Sequence, residues 1–181
     1  MTENVSKMTT SLKYLSHYSA DIQQQVHTLI KENKLKAYLL NHFPKPHEIT
    51  TDKALRQYCL AYKQQFIKQS APLSQVKYDD KIHIINNALG LHTYVSRVQG
   101  NKLKSKNEIR IATVFKSAPE EFLQMIVVHE LAHLKEKEHN KAFYQLCQHM
   151  LPSYHHIELD LRIYLTQIDL FGNIYDLPKA L

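Results

Sequence analysis

The run His129-Glu130-Leu131-Ala132-His133 constrains the fold of this chain more than any other stretch. On a helix, residues four apart stand one above the other on one face, so both imidazoles of this run can reach a single ion there, and a helix is expected. Glu130 then projects beside the pair, where it can hold a metal-bound water instead of ligating the ion. The ion lowers the pKa of that water towards about 7, and the carboxylate takes its proton. A catalytic zinc site has three protein ligands and an open fourth position. His139, six residues after His133, is the obvious third ligand. To bring it back, the helix has to end near Lys137, and Asn140 is placed to cap a new helix beyond the break. The expectation is one Zn2+ held by His129, His133 and His139, with Glu130 as catalytic base. Twelve histidines make such a motif easier to meet by chance, so its context matters.

That context is a change of hydrophobic period along the chain. Up to about residue 70 the pattern is helical. Ile22, Val26, Leu29 and Ile30 share a face behind Asp21 as N-cap, and Asn33 interrupts the run before Leu35 to Phe43. Pro44-Lys45-Pro46 breaks the chain. A helix capped at Thr51/Asp52 then lines up Leu55, Tyr58, Cys59, Tyr62 and Phe66, and ends before Pro72. From about 75 to 114 the period falls to two. Val76 to Tyr78 and Ile82 to Ile85 read as a hairpin, and Leu91 to Val98 and Glu108 to Val114 flank a tip at Gly100 and Asn101. Helical signals return with Ser117 and Glu120 as a capping box, followed by FLQMIVVHELAHLKEKE as one helix with Phe122, Met125, Ile126 and His129 on a shared face. A helix from Asn140 to Met150 stops at Pro152, and one from about His155 to Leu170 stops at Gly172. Helices, a small mostly antiparallel sheet and helices again make an α+β fold.

Composition removes several classes of function. At 181 residues with 44% hydrophobic and 22% charged side chains, the chain can bury a core without disulfides. Cys59 and Cys147 are too few for a framework and are expected as buried, inert thiols. The first 25 residues lack a signal-like apolar core, and Phe122 to Val128 is too short to span a bilayer, so a cytoplasmic protein with no membrane contact is expected. A net charge of +6 permits contact with nucleic acid, yet four arginines against nineteen lysines give little guanidinium recognition.

The stretch HELAHLKEKEHNKAFY, preceded by NEIRIATVFKSAPEEFLQMIVV, resembles the YgjP-like metallopeptidase family of bacteria. In that family a third histidine follows the HExxH helix, and a phenylalanine or tryptophan stands at the position of Phe143. The resemblance implies a zincin-like fold over roughly residues 75 to 155, the three histidine ligands and the glutamate base, and kinship with SprT-like and WLM proteases. Residues 1–70 are then an N-terminal helical segment packed on the core, and 71–181 the metallopeptidase domain, in one compact unit. One departure concerns the Gly-Ser-Cys segment of many members, where this chain reads GLHTYVSRVQG.

The reading is therefore a zinc metallopeptidase acting on a protein or peptide. Two rivals stay open: a three-histidine metal-dependent nuclease, and a non-catalytic zinc module near nucleic acid with His155 or His156 as a fourth ligand. Glu130 directly after the first histidine favours the peptidase over the nuclease. Lys102, Lys104 and Lys106 near Arg97 offer a basic strand face, more commonly a solvated edge than a nucleic-acid surface. Tyr154, His155 or His156 could donate to an oxyanion, although a surface cluster after the helix-ending Pro152 is the more common outcome, while His83 and His92 read as ordinary strand positions.

Overall fold

The computed structural model describes residues 12–82, 90–99 and 102–175, with side chains over 12–82 and 107–175. Three α-helices come first: α1 (Ala20–Lys31), α2 (Leu35–His42) and α3 (Asp52–Phe66). Ser19, in extended backbone, caps α1 by accepting from the Ile22 N–H at 3.5 Å. Asp21, expected as the cap, instead sits in the first turn, where its charge suits the positive helix end. Asn33 does interrupt the helical run. Its φ of +56° lets the Asn33 and Lys34 N–H groups donate back to the Ile30 and Leu29 carbonyls, which closes α1 in a Schellman motif. Thr51 caps α3 through the Ala54 N–H, and Asp52 accepts from the Tyr78 N–H at 2.9 Å, tying α3 to the sheet. Leu55 and Cys59 are fully buried, and Tyr58, Tyr62 and Phe66 pack partly buried beside them.

The sheet has three strands, β1 (Leu73–Asp79), β2 (Gly90–Gln99) and β3 (Lys102–Ala112), in the order β1-β3-β2. β2 and β3 form the expected antiparallel pair, from Gly90 opposite Ile111 to Gln99 opposite Lys102. β1 corrects the expectation of a mostly antiparallel sheet. It pairs with β3 in parallel, Val76 against Ile109 and Tyr78 against Ile111, so the sheet is mixed. The alternation on which the strands were recognised is the same in either direction, and the partner is chosen by the chain path between them. The tip at Gly100 and Asn101, and residues 83–85 of the expected first hairpin, His83 included, lie outside the described residues. So do the side chains of His92, Arg97, Lys102, Lys104 and Lys106, although the register sets Arg97 opposite Lys104. On β3, Ile109 and Ile111 are fully buried while Glu108 and Arg110, which alternate with them, are half-buried, as a sheet with one face in the core requires.

A 3₁₀ turn (Thr113–Ser117) leads into α4 (Glu120–Ala132), followed by α5 (Lys141–Met150) and α6 (Tyr154–Phe171). The Ser117 capping box does not form. Ser117 belongs to the turn, where its hydroxyl accepts from Asn173 at 2.7 Å, and Pro119 stands at the N-cap with no side-chain cap bond. α4 was expected to bury one stripe. Phe122, Leu123, Met125, Ile126, Val127 and Val128 are instead all fully buried, so the helix is wrapped on every side. It packs against α3, β2, α5 and α6. The core it centres takes in Leu15, Leu35 and Leu39 from the N-terminal part together with Ile109, Phe115 and Tyr164. Phe122 links the two regions, with ring centroids 4.6 Å from Phe43 and 5.2 Å from Tyr164. Gly172, at φ +87°, ends α6 as expected. Among the described residues, no helix is long and apolar enough to cross a membrane.

Candidate metal centre

α4 stops earlier than the sequence suggests. Its last helical residue is Ala132, and His133 is the C-cap. The Leu134, Lys135 and Glu136 N–H groups then fold back onto the Leu131 and Ala132 carbonyls in tight turns. An Asn140 N–H to Glu138 carbonyl bond of 2.8 Å turns the chain again, and the Asn140 side chain caps α5 through the Phe143 N–H at 2.9 Å. The early stop gives His139 the slack to fold back over the end of α4.

The three histidines converge. One ring nitrogen from each of His129, His133 and His139 lies within 4.8 Å of the others, and no fourth histidine, cysteine or carboxylate joins that group among the described residues. His129 Nε2 and His139 Nε2 are 3.1 Å apart. Two nitrogens bound tetrahedrally at about 2.0 Å are expected to stand roughly 3.3 Å apart, so the His129–His139 pair already has close to the separation that a zinc-sized ion needs. His155 faces Glu158 at 3.7 Å and His156 is exposed, and neither enters the group.

Hydrogen bonds orient the rings. His133 Nδ1 lies 3.0 Å from the Glu136 carbonyl, which can only accept, so Nδ1 carries the proton and Nε2 the lone pair. His129 Nδ1 lies 2.7 Å from the Tyr154 hydroxyl. Burial, reinforced by the neighbouring His133 and His139, drives the His129 pKa down to about 3, and burial also lowers that of His133. Both rings are therefore neutral near pH 7, the form that binds a metal. Phe143, fully buried, lies under all three, with centroids 5.0 Å from His129, 4.7 Å from His133 and 4.7 Å from His139.

Glu130 is only 3% exposed, beside the first histidine on the last turn of α4. Cys59 and Cys147 are fully buried, and burial pushes both thiols up to about 12, as inert cysteines require. Tyr154 departs from its expected place. It is fully buried, with its hydroxyl at His129 Nδ1 while His139 meets Nε2 on the other side of the ring. Sequence spacing found the three histidines and Glu130 but not this tyrosine's bond or the Glu136 carbonyl, because neither contact follows a helical or strand period.

Comparison with known proteins adds two findings. The chain is 58% identical over 164 residues to the UTP pyrophosphatase of Escherichia coli (strain K12), covering 91% of this chain and 98% of that relative. No solved structure matches it. Residues 17–164 match the family model described as "YgjP-like, metallopeptidase domain", which takes in the N-terminal helices as well as the sheet and the histidines. A three-histidine cluster at the end of a buried helix and a match over that span lead to one conclusion: the chain is a hydrolase belonging to the YgjP-like metallopeptidase-domain family.

Proposed function

We propose that His129, His133 and His139 hold one zinc ion, and that Glu130 is the general base of a hydrolase whose substrate is a nucleoside triphosphate, UTP first among them. The observation that carries the reading is the convergence of three imidazoles beside a buried carboxylate. The substrate class is supported by the 58% identity to a relative named UTP pyrophosphatase, 98% of which is covered. An imidazole donor set suits zinc, copper, iron and nickel, and three histidines with an open fourth position match catalytic zinc. When bound, the ion supplies a Lewis acid that acidifies water and offsets charge on phosphate oxygens. Glu130 accepts a proton from the attacking water as a new P–O bond forms at the α-phosphorus. The bond to the β-phosphate breaks, giving UMP and pyrophosphate, and Glu130 can return its proton to the departing oxygen. The +6 charge of the chain favours encounter with such a polyanion.

A second reading, hydrolysis of a peptide bond within a zincin-like fold, is supported by the family's description as a metallopeptidase domain. Glu130 would then pass the same proton to the leaving amine, with an extended peptide along an outer strand of the sheet. Neither comparison points to a nuclease or to a non-catalytic zinc module.

Metal content of desalted, untagged protein is the first test, with His133→Ala as its control. About one zinc per chain, lost in the variant, supports the site. Zinc-loaded protein is then offered UTP and, separately, an unfolded protein. The expected result is UMP and pyrophosphate from UTP, with Glu130→Gln keeping its zinc but losing at least about 100-fold in rate. Cleavage of the protein with UTP intact would transfer the assignment to peptide bonds. Full activity in Glu130→Gln would remove the glutamate from its role.

A further inference from the structure

We infer that Tyr154 is a positioning residue for the metal centre: its hydroxyl holds His129 as the Nδ1–H tautomer, so that Nε2 faces the other two histidines as a ligand. The inference rests on the reading of the three histidines as a metal site. A neutral imidazole has one proton for two nitrogens, and His129 has a partner at each. Nδ1 meets the Tyr154 hydroxyl at 2.7 Å, and Nε2 meets His139 Nε2 at 3.1 Å. With the proton on Nε2, an N–H would point into the cluster and block it. With the proton on Nδ1, the lone pair points there.

The phenolic oxygen can accept from that Nδ1–H, and Tyr154 is fully buried where it meets the ring, so the bond joins α4 to α6 within the core. The Tyr154 and His129 rings lie 11° from parallel with centroids 6.4 Å apart, so the tyrosine approaches in the imidazole plane, as a hydrogen bond to a ring nitrogen needs. His133 follows the same rule with a different acceptor, turning Nδ1–H out to the Glu136 carbonyl. Outer acceptors of this kind fix ring orientation at metal sites and are worth roughly 10–100-fold in affinity.

The experiment is Tyr154→Phe, which keeps the ring and removes the hydroxyl. Nitrogen-detected NMR on metal-free protein should show a single Nδ1–H tautomer for His129 in the wild type and a mixture in the variant. Zinc affinity, measured against a competing chelator, should fall roughly 10–100-fold. Unchanged tautomer and unchanged zinc affinity would overturn the inference. So would normal zinc affinity with a large loss of turnover, since that marks a hydroxyl touching substrate. Should Tyr154→Phe fail to fold, the wild-type spectrum decides alone: an Nε2–H tautomer for His129 in metal-free protein would overturn the inference. A wild type that binds no zinc would sink the metal reading itself, yet the tautomer comparison on metal-free protein would still decide the role of Tyr154.

Discussion

Phe143 has two tasks, since it fills the core and braces three imidazoles at once. Phe143→Ala should cost about 3–5 kcal/mol in denaturant unfolding. Phe143→Leu should cost less but still weaken zinc binding, because a smaller, flexible side chain no longer sets the ring tilts. Equal zinc affinity in Phe143→Leu and wild type would show that the rings need no brace. A second residue-level expectation concerns pH. His129, His133 and His47 are all held below their ordinary pKa of about 6.5, chiefly by burial. The unfolded chain therefore takes up protons that the folded chain refuses once pH drops below about 6.5. The stabilisation is whole above that value and is lost progressively towards about pH 3, the value for His129. Thermal melts of metal-free protein should fall along that window, and a flat profile from pH 7 to 4 would contradict the burial of these rings. His47 adds a fixed tautomer of its own, since Nε2 donates to the Phe115 carbonyl at 2.8 Å while Nδ1 accepts from the Ile49 N–H. His129 and His133 were legible because a four-residue spacing follows from helix geometry, and His139 because the Asn140 cap signals a chain break just where a third ligand must turn back. The bonds of His47 and Tyr154 were not, because they join residues 68 and 25 positions apart.

At the scale of elements, the caps divide along the same line. Asn140 and Thr51 stand where their sequence signals put them, each with its bond to the third residue on. Ser117 carries an equally good signal and fails, because the preceding turn claims it and Pro119 sets the entry to α4. Local propensity cannot see which of two overlapping signals the packing will use. Asn140→Ala should cost about 1 kcal/mol of stability. Because Asn140 follows His139 directly, it should also weaken zinc binding, and chelator competition on this variant checks that. The full burial of α4 was legible in hindsight from FLQMIVV, whose apolar residues follow no single stripe. The direction of β1 was not legible at all, because its partner lies two strands further along the chain.

For the whole molecule, the question is whether residues 71–181 stand alone. We propose that they do not. Leu35, Leu39 and Leu55 are fully buried in the same core as α4 and β3, and Tyr175 donates to the Phe43 carbonyl at 2.6 Å. A chain starting at residue 71 should therefore show no cooperative thermal melt, and a clean melt would make the first 70 residues an accessory. The early end of α4 has its own consequence here. One prospective ligand lies within the helix, one at its cap and one in the segment 133–140 beyond it. A bound ion would act as a clasp, fastening a surface segment to a helix whose apolar residues are buried on every side. Lys135 and Lys137 lie exposed in that segment, so trypsin can report whether the clasp is shut. Chelator-treated protein should be nicked there and zinc-loaded protein spared, which would make the metal a guard on the chain's integrity as well as on its chemistry.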